Sequence, residues 1–168
     1  GGFVQGNNFI LTQDSPGQQG AIYYQEAFNL NQCKKWRIEF DFRIWGNGDP
    51  TWRHGDGMAF WYLENPPNNF ATGGTLGIPF GGRGIFVMMD TFDNLLGSSG
   101  QTPMSELQLY YGEMTFSGNS YENDPTIPVN YINTIPFGVN IRNSDYQKMI
   151  IEWDNGNMTV NLAGVQIY

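Results

Sequence analysis

Between Trp36 and Trp45 the chain alternates strictly, with Trp36, Ile38, Phe40, Phe42 and Ile44 set against Arg37, Glu39, Asp41 and Arg43. A period of two sends successive side chains to opposite faces, so this pattern predicts an antiparallel strand with one dry face and one wet face. Two other apolar stretches do not alternate. Met58–Leu63 and Ile85–Met89 are short, unbroken and flanked by Gly and Asp, which predicts buried strands. Glu106–Gly112 reads as a further strand. Lys148–Trp153 and Met158–Leu162 flank Asp154-Asn155-Gly156-Asn157 and read as a hairpin, because Asn-Gly tolerates the positive φ that a tight hairpin turn requires. Shorter strands are expected at Phe9–Leu11, Ala21–Tyr24 and Val165–Tyr168. Pro66 and Pro67 exclude a central strand after Leu63, and Gly118–Asn133 reads as loop. No segment holds a helical period over three turns. About ten short strands at turn-punctuated intervals predict an all-β sandwich, with residues 1–168 as a single domain.

Composition supports that class. Twelve Phe, nine Tyr and five Trp with only 14% charged residues suit strands, and 22 Gly with nine Pro suit many turns. The net charge of −8 argues against a nucleic-acid partner, which needs a basic surface. Cys33 is the sole cysteine, so no internal disulfide forms within these residues. No stretch approaches the ~20 apolar residues of a membrane span, and no leader pattern is visible. The chain starting GGFVQG reads as a mature or fragmentary segment, with any leader or anchor lying outside it.

Candidate chemistry gathers at the ends of the two apolar runs. Asp56 sits between Gly55 and Gly57 at the mouth of the first, and Asp90, Asp93 and Asn94 alternate with Thr91 and Phe92 at the end of the second. Oxygen ligands at the ends of rigid strands are what a hard cation such as calcium takes; taken alone, the same residues also suit a polar turn. Among the aromatics, Trp61 reads as core and Tyr121, in a loop, as the better partner for a sugar face. His54 reads as an exposed loop residue. Two acidic pairs, Glu39 with Asp41 and Glu152 with Asp154, raise the alternative of a glycoside hydrolase, which needs two carboxylates flanking the scissile bond. Asn157-Met158-Thr159 matches an N-glycosylation acceptor, used only on passage through the secretory pathway.

Asp-Gly before an apolar strand, then the glycine-rich GGTLGIPFGGRG, then Asp-Thr-aromatic-x-Asn is an order that resembles the L-type (legume-like) lectins. GDGMAFWYLEN and GIFVMMDTFDN are most similar to their ER–Golgi cargo-receptor, mannose-binding branch. SYENDP looks like that branch's His-x-Asn-Asp loop with Tyr121 in the histidine position, and QGNNFILTQDSPGQQGAIYYQEAF and WRIEFDFRIWG resemble its early strands. The resemblance implies a concanavalin A-like jelly-roll β-sandwich of antiparallel sheets. It implies a calcium ion held by the side chains of Asp90, Asn94 and Asp124 and the Phe92 carbonyl, with Asp56, Asn94 and Tyr121 meeting the carbohydrate and a cis peptide before Asp56. The function it implies is binding of high-mannose glycans or glycoproteins without catalysis, in the secretory lumen or outside the cell. Three departures accompany it. Met88 stands where plant members place a metal-binding glutamate, which argues against a manganese site. Tyr121 changes the hydrogen bonding of the sugar loop. The family's specificity loop and closing strands do not appear before Tyr168, so further residues, another segment or an oligomer would complete the sheet. A structural or adhesive sandwich that has lost sugar binding is the other alternative.

Overall fold

The structure, a computed structural model, describes residues 2–29, 33–46, 55–65, 70, 76–78, 81–91, 106–113, 130–136 and 141–168. These residues hold ten strands and no helix: β1 (Phe3–Gln5), β2 (Asn8–Ile10), β3 (Lys35–Phe42), β4 (Gly57–Leu63), β5 (Arg83–Asp90), β6 (Glu106–Glu113), β7 (Asn130–Pro136), β8 (Gln147–Asp154), β9 (Asn157–Leu162) and β10 (Val165–Gln166). All pair antiparallel, in a β1-β2 hairpin and two four-stranded sheets ordered β4-β5-β6-β7 and β10-β9-β8-β3. The chain divides into two compact units, Gly1–Tyr23 with Gly46–Gly138 and Tyr24–Trp45 with Val139–Tyr168.

In the first unit β5 is an interior strand, and every residue after Arg83 is buried. That is the physical meaning of the unbroken apolar run: both faces are covered, so no polar alternation survives. On one face Phe86 and Met88 join Leu76, Ile78 and Tyr110, with Ala59, Trp61 and Leu63 packed at the margin. The Phe86 and Tyr110 rings lie 5.8 Å apart. On the other face Ile85, Val87 and Met89 are buried, and across the ladder Leu107 and Leu109 are buried with them. Full burial of each such side chain contributes about 1.5–3 kcal/mol.

In the second unit the period-two strand pairs β8 in a register that sorts the two faces. Trp36 stands opposite Trp153, Ile38 opposite Ile151 and Phe40 opposite Met149. The Trp36 and Trp153 rings stack 6.5 Å apart at 5°, and Phe42, Met149, Ile151, Met158, Val160 and Leu162 are buried. The opposite face carries ions in matched register. Lys35 meets Asp154 at 2.6 Å, Arg37 meets Glu152 at 2.7 Å, and Lys148 bridges Glu39 and Asp41.

Several segments depart from the sequence-based expectation. Met58–Leu63, expected as a buried strand, forms β4 at the end of the described sheet order and is half-buried throughout, and Phe3–Gln5, where no strand was expected, pairs with β2. The alternating strand leaves its ladder after Phe42, and Ile44 makes only an isolated parallel bridge to Arg142. Ala21–Tyr24 forms no strand; the Tyr23 ring instead packs on Trp61 and Phe70 at 6.0 and 6.3 Å. Asn130–Asn133, expected as loop, opens β7, which β6 organises through a ladder whose register shifts between Leu109 and Tyr110. Its Asn-rich sequence carries no apolar alternation, so pairing rather than pattern makes it a strand.

The ion ladder predicts a pH signature. Hydrogen bonds from Arg37 and Lys148 hold the Glu39 carboxyl down at about 2, against an ordinary 4.5. A depressed carboxyl stabilises the fold above its unfolded value and loses that contribution as pH falls through its folded value. In thermal melts the Glu39→Gln variant should therefore fall below the parent above pH 4.5 and converge with it towards pH 2. High salt should shrink the difference, because these side chains are exposed. A gap unchanged across that window would remove Glu39 from the ladder's electrostatics.

Candidate functional site

The antiparallel pairing of β4 with β5 brings two distant acids to one end of the sheet. Gly57, the first residue of β4, stands opposite Asp90, the last of β5. One step outward, Asp56 and Thr91 are tied together: the Thr91 N–H donates to the Asp56 carbonyl at 2.9 Å, and the Thr91 hydroxyl donates to the same oxygen at 3.1 Å. The Gly55–Asp56 peptide is cis, as the resemblance implied. Asp90 and Thr91 are each only 3% exposed. Asp56 is half-buried, and burial pushes its carboxyl above the ordinary carboxylate range.

This end of the strand pair is built for close approach. Gly57 has φ +148°, and a Cβ there would lie 2.1 Å from the Met89 carbonyl oxygen and 3.0 Å from the Leu76 side chain. Only glycine lets β4 start against β5 at that distance. The Gly-Asp-Gly sequence thus has a mechanical reason for its second glycine. Thr91 is a part of the site to which pattern reasoning gave no role, and Leu76 beside Gly57 belongs to the core cluster. The signal for Thr91 was its place directly after a buried aspartate, where a hydroxyl has a backbone acceptor within reach.

Of the residues singled out from sequence, Asp56 and Asp90 are brought together. Phe92, Asn94, Tyr121 and Asp124 lie outside the described residues, as does His54. Among the described residues no group of three or more His, Cys, Asp or Glu forms a metal cluster. Asp90 itself has the character that calcium takes, a hard carboxylate donor on the end of a rigid interior strand. Met88 packs in the apolar cluster with Phe86 and Tyr110 and serves the core. The acidic pairs Glu39/Asp41 and Glu152/Asp154 stand on the ion-laddered face of the second unit, engaged with Lys35, Arg37 and Lys148.

The family model for the legume-like lectin family matches residues 2–165. The chain belongs to the legume-like lectin family. The all-β, antiparallel architecture agrees with that family's jelly-roll sandwich. Among individual proteins, the VIP36-like protein of Mus musculus is 32% identical over 97 residues, covering 54% of this chain and 26% of the relative. The VIP36-like protein of Homo sapiens is 31% identical over the same length. Vesicular integral-membrane protein VIP36 of Canis lupus familiaris is 29% identical over 84 residues, 50% of this chain and 22% of the relative. The chain thus spans about a quarter of the length of the curated relatives it matches.

For this legume-like lectin the Gly57 contact predicts an asymmetry between two glycines. Gly57→Ala should destabilise the protein by about 2 kcal/mol or more, because backbone must move. Gly156→Ala, at φ +94° with nothing within 4 Å of its Cβ position, should cost only about 1 kcal/mol, the strain of the left-handed region. Chemical denaturation of the two variants measures both, and equal losses would mean that β4 can retreat from β5 freely.

Proposed function

We propose that the protein is a calcium-dependent carbohydrate-binding module for high-mannose glycans and glycoproteins, which it releases chemically unchanged. The observation that carries this reading is the convergence, in a legume-like lectin, of Asp56 and Asp90 on one end of the β4–β5 pair. Asp56 is half-buried, so a sugar hydroxyl donating to its carboxylate meets an acceptor that water satisfies poorly. Asp90, with Asn94, Asp124 and the Phe92 carbonyl, would hold the cation. Bound calcium would supply charge neutralisation and rigid placement of the loop that presents Asn94. Tyr121 would offer an aromatic face to the sugar. Each hydrogen bond nets only about 1 kcal/mol against water, so single sites bind weakly and clustering supplies avidity.

A hydrolase on this chain is disfavoured by the state of its other acids. A general acid needs its pKa raised towards the working pH, whereas neighbouring Arg and Lys hold Glu39 at about 2 and Lys35 holds Asp154 below the ordinary range. The setting proposed is the secretory lumen or the extracellular space. The name of the relative VIP36, a vesicular integral-membrane protein, supports it. Among the described residues no helix is long and apolar enough to cross a membrane.

A glycan array probed in calcium and again after chelation tests the reading, with calcium-dependent binding to mannose-containing glycans expected. Asp56→Ala should weaken that binding by at least about tenfold, worth about 1.4 kcal/mol, with the melting temperature unchanged. Asp90→Ala should lose both glycan binding and the thermal stabilisation that calcium gives. Binding that survives chelation would discard the calcium ligands. A folded protein that binds no glycan in either condition would instead be the structural sandwich.

A further inference from the structure

The sequence contains one Asn-x-Ser/Thr triplet, Asn157-Met158-Thr159, and the function proposed above makes no use of it. Its surroundings meet the requirements of a modification site one by one. The β8–β9 hairpin turns at Asn155 and Gly156, with φ of +51° and +94°, so that Asn157 is the first residue of β9, opposite Asp154. Strand alternation then puts Asn157 and Thr159 on one face and Met158 on the other. The burial follows suit: Asn157 is exposed, Thr159 half-buried and Met158 only 9% exposed. The face that carries the acceptor is the wet, ion-laddered one, so a polar, bulky substituent there displaces no core packing.

The acceptor amide itself is lightly held. Asn157 Nδ2 donates to the Asp154 carbonyl at 3.4 Å, at the long limit of a hydrogen bond. An amide nitrogen carries two protons and glycosylation consumes one, so the second remains free to keep that contact. An open groove of about 670 Å³, lined by Trp36 and Trp153 as well as by charged side chains such as Lys35 and Glu152, leaves room beside the amide.

We propose that Asn157 carries an N-linked oligosaccharide, an inference that rests on the secretory-pathway reading above. The donor is a lipid-diphosphate-linked oligosaccharide. A bond forms between Asn157 Nδ2 and C1 of the first sugar as the C1–O bond to the diphosphate breaks. The diphosphate leaves with that electron pair, and Nδ2 yields one proton to a base of the transferase. Thr159 supplies the hydroxyl by which the transferase recognises the triplet. The product is a bulky, solubilising group on the exposed strand face.

The test is secretion of the full chain behind an added leader from a eukaryotic cell, followed by electrophoresis with and without a peptide N-glycosidase. Recovery from the medium demonstrates lumenal passage before the glycan is scored, so a natural location elsewhere does not mask the result. The expected result is a slower band that collapses on deglycosylation, with the released peptide carrying Asp in place of Asn157. Asn157→Gln and Thr159→Ala should each secrete as the faster band only, and Thr159→Ser should restore the slower one. A secreted parent protein with no glycosidase-sensitive shift overturns the proposal, as does a shift that persists in Asn157→Gln. Glycan-array binding by bacterially made, unmodified protein is scored separately, so failure of the lectin reading and failure of this one give different results.

Discussion

The β4–β5 ladder is the constraint on which the rest of the first unit depends. It places Gly57 against Asp90 and lets Thr91 close on the Asp56 carbonyl with two hydrogen bonds. Side chains along a strand alternate faces, so a slip of one residue would turn Phe86, Met88 and Asp90 together to the other face and separate Asp90 from Asp56. Two features oppose such a slip. β5 is apolar and buried on both faces, and the Gly57 backbone runs so close to the Met89 carbonyl that no side chain fits there. The stable core and the acidic site are therefore consequences of one register.

The second unit solves a different problem with the same geometry. Its β3–β8 register sets Trp36 on Trp153 and Ile38 on Ile151 on one face, and on the other it sets Lys35 on Asp154 and Arg37 on Glu152. The exposed pairs contribute little individually, yet a shifted register would bring the wrong charges face to face and turn the aromatic residues to water. The carboxylates of the protein thus fall into two environments. Glu39 and Asp154 are exposed and held low by cations, which is the state of a solvated ion pair, whereas Asp56 is half-buried and raised by desolvation. Residues of one chemical type acquire different roles from their surroundings.

Glycans enter this molecule in two proposed capacities, as the ligand at the Asp56/Asp90 end of β4–β5 and as a substituent at Asn157 on β9. The two rely on opposite properties of the surface. A ligand site needs partly desolvated acceptors with fixed direction, whereas an attachment site needs an exposed amide with few commitments. Asp56 and Asn157 differ in burial and in bonding in that sense.

What the sequence determined by itself was everything that short-range chemistry encodes. Period-two alternation sorted the apolar and charged side chains of β3 onto opposite faces, unbroken apolar runs marked β4 and β5, and Asn155-Gly156 dictated the hairpin because few other residues accept positive φ. The order Gly-Asp-Gly, apolar run, Asp-Thr was enough to point to the family and to name Asp56 and Asp90. Tertiary structure decided the rest. It made Asn130–Pro136 a strand by pairing it with β6, and it withheld strand structure from Ala21–Tyr24, whose Tyr23 ring found Trp61 and Phe70 instead. It also decided that Asp56 and Thr91 meet, a contact between residues 35 apart in sequence. No local pattern encodes that contact, because it exists only once the β4–β5 register is in place.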